Sequence, residues 1–108
     1  MSARPPAPRQ GDIWWVNLDP TVGREISKKR PCLVVSPNEM NQHLGTVIAA
    51  PITSTMRDWP TRVPIALNRA DRSVALDQIR MIDNSRLVNR IAQVDPAPAL
   101  RILREMFA

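Results

Sequence analysis

The chain has 108 residues, of which 44% are hydrophobic, and its 15 Lys and Arg against 10 Asp and Glu give a net charge of +5 at pH 7. That length and apolar content build one modest core and argue against two independent domains, while the positive balance points to a polyanionic partner, nucleic acid before membrane. The single Cys32 rules out an internal disulfide and suits a reducing compartment, so the cytoplasm is the expected location.

Residues 1–10, MSARPPAPRQ, carry three prolines and two arginines with little to bury, and read as a flexible arm. They lack the apolar region of a secretion signal, and no stretch of the chain is apolar enough for a membrane-spanning helix. A single folded domain is expected over 11–108. Its first strand is DIWWVNL at 12–18, rich in aromatic and β-branched residues, with Ile13 and a tryptophan turned inward; DPTVG then stops it. The continuous apolar run PCLVVS at 31–36 predicts a strand buried on both faces. Ser36-Pro37-Asn38-Glu39 reads as a capping box, Ser36 to Glu39, opening a short helix over 37–43.

TVIAAPIT at 46–53 predicts a third strand, in which Pro51 marks an edge or a bulge because it has no amide to donate. STMRDWP is a polar loop, RVPIAL at 62–67 alternates as a strand, NRADRS turns, and VALDQIRMI at 74–82 returns as one strand. One helical turn is expected within DNSRLVNR, then a last strand at 90–94. Asp95-Pro96 starts a C-terminal helix with Leu100, Leu103 and Phe107 on one face. Short, closely spaced strands with a single terminal helix predict a mainly β fold, a small and strongly bent antiparallel barrel.

Several chemistries lack their residues. One His and one Cys eleven positions apart, with no cluster of Asp or Glu, do not assemble a four-ligand metal site. The chain has no GxGxxG, no P-loop and no G-x-S-x-G. His43 has no neighbouring partner in sequence and reads as a surface or capping residue rather than a base. What remains is GREISKKRP at 23–31, APITST at 50–55 and LDQIR at 76–80: individually a solvated loop, a strand end and an amphipathic strand.

In order and spacing these segments carry more. GDIWWVNLDPTVGREISKKRPCLVVSP resembles the opening of the MazF/PemK/Kid family of toxin endoribonucleases, and the likeness continues through VIAAPITST, LDQIR and SRLVNRI to the C-terminal helix. The resemblance implies an SH3-like β-barrel with a short helix after the second strand and a helix at the C-terminus. It also implies a homodimer and sequence-specific, metal-independent cleavage of single-stranded RNA without a cofactor, as the toxin of a type II pair with a cognate antitoxin. Matched by motif, the family's active-site arginine before proline falls on Arg30, its threonine after Pro-Ile on Thr53, and its acid after the glycine turn on Glu25. Gln78 matches a position near the RNA groove. Arg24, Lys28, Lys29, Asn17 and Ser54 complete the expected RNA-binding set. Some members carry His before the arginine; here that position is Lys29.

Metal-free RNA cleavage uses the 2′-hydroxyl as internal nucleophile and yields a 2′,3′-cyclic phosphate. Arg30 would grip the phosphate oxygens, Thr53 would donate its hydroxyl to the same group, and Glu25 would either accept the 2′-proton or orient Arg30. Trp14, Trp15 and Trp59 are candidate stacking surfaces for bases, the first two better explained by packing. Two other readings stand beside this one: a non-enzymatic poison like CcdB, whose critical C-terminal tryptophan is replaced here by EMFA, and a catalytically silent homologue that binds RNA or antitoxin.

Overall fold

One strand receives hydrogen bonds from three others, and the rest of the architecture follows from how it shares its two edges. The computed structural model describes residues 7–26 and 28–108; the first six positions of the proline-rich arm and Ser27 lie outside the described residues. In chain order the elements are β1 (Asp12–Asn17), β2 (Lys29–Val34), α1 (Asn38–Leu44), β3 (Thr46–Thr53), β4 (Arg62–Leu67), β5 (Ala70–Ala75), β6 (Arg80–Asp83), β7 (Leu87–Gln93) and α2 (Ala97–Met106), with 3-10 turns at Leu76–Gln78 and Asn84–Arg86. The strand order is β4-β5-β3-β2-β1-β7, with β6 also on β3. The result is a curled antiparallel half-barrel with β4 and β7 at its ends.

Along one edge β3 pairs with β2, Cys32 opposite Pro51 and Val34 opposite Ala49. Along the other it pairs first with β6, Thr46 to Ala49 against Asp83 to Arg80, and then with β5, Ile52 and Thr53 against Val74 and Ser73. Pro51 falls where the partner changes. The sequence placed this proline at an edge or a bulge; β3 is interior instead, and the missing amide sits at the one stretch where the second edge has no ladder to continue.

The segment 74–82, read as one strand, is two. Val74 and Arg80 are six residues apart, yet their partners Ile52 and Ala49 are three apart, so three residues must leave the ladder. These are Leu76–Gln78, whose 3-10 turn is held by Leu76 N–H to Thr61 O at 3.0 Å and Ile79 N–H to Leu76 O at 3.3 Å. The expected turn at 68–73 is shorter than predicted. Asn68 and Arg69, both at positive φ, form a two-residue hairpin loop, and β5 starts at Ala70.

Strand alternation divides the apolar side chains into two cores. Ile13, Leu33, Ala50, Ile52, Val74 and Leu76 pack on one face, against Ala99, Leu100, Ile102 and Leu103 of α2. Val16, Cys32, Val34, Val47, Ala49 and Ile82 pack on the other with Leu18, Trp14 and Ile26. β2 is therefore buried on both faces, as its unbroken apolar run required. Burial pushes the Cys32 thiol up to about 12 against the opposing field of Arg80.

Helix ends differ from the sequence reading. Ser36 does not cap α1: its hydroxyl accepts the Ile48 amide at 3.0 Å and donates to Asn41 Oδ1, because Ser36 is buried beside β3. Asp95 does serve α2, accepting the Ala97 amide at 3.0 Å. Phe107, expected on the buried face, lies just beyond the helix and is 74% exposed. Residues 7–10 run along the body: Pro8 is buried and the Gln10 side chain donates to Val35 O at 2.8 Å.

Gly11 joins three segments. Its amide donates to Val34 O and its carbonyl accepts from Val94, both at 2.9 Å, at φ 94°. A Cβ there would meet Val94 O at 2.6 Å. Gly11→Ala is expected to destabilise the fold by about 1–3 kcal/mol, measured as a lower midpoint in urea unfolding.

Candidate active site

The register that sets Cys32 opposite Pro51 carries two further consequences at the ends of β2 and β3. Side chains on a strand alternate faces, so Arg30 continues the face of Cys32 and Val34, and Thr53 continues the face of Ala49 and Pro51. Arg30 and Thr53 thus end adjacent strands on one side of the sheet. Arg30 is half-buried and Thr53 buried. The Thr53 hydroxyl accepts the Thr55 amide at 3.1 Å, which occupies a lone pair and not the proton.

Over this face folds the loop between β1 and β2. Its base is closed by Leu18 N–H to Lys28 O at 2.9 Å and by Lys28 N–H to Asp19 Oδ1 at 2.8 Å, with Lys28 at positive φ. At its tip Glu25 Oε1 accepts the Val22 amide at 2.9 Å, and Glu25 N–H donates to Val22 O at 3.2 Å. The returning limb meets the 3-10 turn, where Gln78 Oε1 accepts the Ile26 amide at 3.4 Å. Arg80 reaches from β6 under the loop, with Nη1 3.4 Å from Leu18 O and 3.8 Å from Glu25 Oε2. Between loop and sheet lies a cleft of about 310 Å³ lined by Glu25, Pro51, Asp77, Gln78 and Arg80.

Arg30 borders a second, different cleft, of about 350 Å³, toward the β4–β5 hairpin, lined as well by Trp15, Lys29, Ser54, Asn68 and Arg72. The positions expected from sequence therefore divide. Glu25 and Gln78 share the first cleft, and Arg30, Lys29 and Ser54 share the second. Thr53 lines neither, standing between them at the end of β3. Arg24 and Lys28 are exposed on the loop, and Asn17 is exposed at the end of β1, opposite Lys29, with its side-chain carbonyl taking the Asp19 amide. His43 is exposed on α1 and lines a different groove, with Trp14, Leu44 and Val88.

The sequence reading omitted three charged residues at these clefts: Arg72, Asp77 and Arg80. Arg80 and Asp77 lie within the LDQIR segment already singled out, and Gln78, two positions before Arg80, was the signal for them. Arg72 was hidden by the assignment of its segment to a turn.

A family model described as the PemK-like, MazF-like toxin of type II toxin-antitoxin systems matches residues 9–106. Endoribonuclease EndoA of Bacillus subtilis is 36% identical over 93 residues, spanning 81% of this chain and 80% of that protein. Among solved structures, MazF from Deinococcus radiodurans superposes with a TM-score of 0.76 at 33% identity, over 92% of this chain and 91% of that one. A mycobacterial endoribonuclease in complex with its cognate antitoxin gives 0.71 at 26% identity, over 91% and 88%.

Asp77 supplies a pH-dependent property. Arg62 holds it with both prongs, Nε to Oδ1 at 2.8 Å and Nη2 to Oδ2 at 3.1 Å, and Thr61 donates to Oδ1 at 3.0 Å. The Arg62 hydrogen bonds keep its carboxyl below the ordinary 3.8, against a smaller opposing effect of burial. A lowered native value gives stability that is present above the unfolded value and lost as pH falls through the native one. Asp77→Asn is therefore expected to shrink the stability difference between about pH 5 and about pH 3, read by urea unfolding at each pH.

Proposed function

This chain belongs to the family of PemK-like, MazF-like toxins of type II toxin-antitoxin systems, and from that premise we propose that it is an endoribonuclease cutting single-stranded RNA at the face shared by Arg30 and Thr53. The observation that carries the reading is their position at the ends of neighbouring strands, beside a cleft that holds a carboxylate, Glu25, and an amide, Gln78.

The proposed reaction is internal transfer. The 2′-oxygen attacks phosphorus, its proton passes to Glu25, the bond to the 5′-oxygen breaks, and the products are a 2′,3′-cyclic phosphate and a 5′-hydroxyl after protonation of the leaving oxygen. The Arg30 guanidinium presents planar donors to the phosphoryl oxygens as they gain charge. Thr53 donates its hydroxyl proton to the same phosphate and fixes it in line. Glu25 turns its Oε2 toward the Arg80 guanidinium, 3.8 Å away, and its carboxylate oxygens are acceptors this cleft offers. Lys29, Arg72 and Ser54 flank the second cleft and supply the donors that a phosphate backbone requires. Specificity for RNA follows from the nucleophile, which DNA lacks.

A cognate antitoxin is the proposed protein partner, as in the mycobacterial complex. A homodimer is proposed on apolar side chains left outside: Leu44 and Val88 are both exposed and line one groove together with Trp14. No helix among the described residues is long and apolar enough to cross a membrane.

The direct test is incubation with single-stranded RNA in EDTA. The wild-type chain is expected to cleave the RNA and to spare DNA of the same sequence, and Arg30→Ala to lose about 10²–10³-fold in kcat. Thr53→Ala is expected to be impaired as well. An inert wild type, or three proteins of equal activity, rejects the assignment. Light scattering at micromolar concentration is expected to give twice the chain mass, and a monomer rejects the dimer.

A further inference from the structure

Arg62 combines a bidentate contact to a carboxylate with an aromatic ring contact. Its side chain is 8% exposed, although it belongs to the residue that opens β4 at the edge of the strand order. Burying a guanidinium is costly unless every contact is used, so its surroundings bear on what it holds in place.

Those surroundings join the two loops that border the site. The Ser54–Thr61 segment leaves β3 directly after Thr53 and returns to β4 at Arg62, whose backbone amide donates to Trp59 O at 3.0 Å. The Trp59 ring centroid lies 4.7 Å from the Arg62 guanidinium carbon and 5.3 Å from that of Arg57. From the other side, Asp77 grips Arg62 and Thr61, and the Leu76 amide reaches Thr61 O. The next residue, Gln78, accepts the Ile26 amide of the loop that carries Glu25. One three-residue turn thus touches both loops.

Resting on the reading that the chain cleaves RNA, we infer that Arg62 is a positioning residue: pinned by Asp77 and stacked with Trp59, it holds the Ser54–Thr61 loop at a set distance from the Glu25 loop, and RNA enters between them. Arg62 touches neither Arg30 nor the reacting phosphate in this scheme. It acts on where the substrate is received. Releasing it widens and loosens the entrance while Arg30 and Thr53 stay on β2 and β3 and Glu25 keeps its own contacts to Val22 and Arg80.

The test uses Arg62→Met, which keeps length and removes charge and fork, and Arg62→Lys, which keeps the charge. Trypsin cleavage of the intact chain after Arg57, identified by fragment mass, reads the loop without RNA. It is expected to accelerate about tenfold in Arg62→Met and less in Arg62→Lys, as for loss of a charged hydrogen-bonded anchor. In RNA cleavage the KM of Arg62→Met is expected to rise about tenfold with kcat within about twofold, and Arg62→Lys to recover part of the KM. Unchanged trypsin sensitivity and KM overturn the inference. A fall in kcat at constant KM overturns it too, as does a parallel collapse of melting temperature, kcat and KM, which marks a merely structural residue. If the wild type does not cut RNA, the functional reading fails, and the trypsin result alone still decides whether Arg62 pins the loop.

Discussion

The constraint on which the molecule depends is the division of the second edge of β3 between β6 and β5. A strand of eight residues, flanked by β2 on one side, meets two partners in different registers on the other, so the sheet bends at the handover. Pro51 stands there because a residue without an amide loses nothing where no acceptor is aligned. Thr53 follows two positions later, beyond the bend, as the last residue of β3 and still paired with Ser73.

The same offset makes the neighbouring cleft. Three residues of the β5–β6 segment are surplus to the ladder, and the chain expels them as the turn that carries Asp77 and Gln78. Gln78 then has a loop amide to accept, Asp77 has Arg62 to hold, and Arg80, where pairing resumes, extends beneath Glu25. Fixed and connecting parts are separated: β2 is packed on both faces and fixes Arg30 at its mouth, whereas the β1–β2 loop and the 3-10 turn bring Glu25 and Gln78 to the cleft beside it.

Much of this was readable in the residues. The apolar run 46–53 and the alternating run 62–67 coincide with β3 and β4, because their side chains face a core and report it directly. The C-terminal helix announced itself through Asp95 and its apolar spacing. The break at Leu76–Gln78 was not legible, since VALDQIRMI carries no glycine or proline to mark it and the surplus exists only relative to β3 partners 22 and 31 residues earlier. Ser36 misled for a related reason: its local capping pattern is correct, but burial gave the hydroxyl a stronger claimant in the Ile48 amide. At the candidate site, Arg30, Thr53, Glu25 and Gln78 came from a motif resemblance. Arg72 and Asp77 needed the folded arrangement, because nothing local shows which wall a charged strand or turn residue will face.

The expelled turn also separates what holds the chain together from what it does. Excising Leu76–Gln78 would let β5 run on into β6 along β3 in one continuous register, a plainer sheet that would lose Leu76 from its first core. Such a protein would have a longer ladder, and the loop of Glu25 would lose the Gln78 carbonyl that takes the Ile26 amide and keep its contact with Arg80. The irregularity is where this small sheet ties two of its long connections to one point.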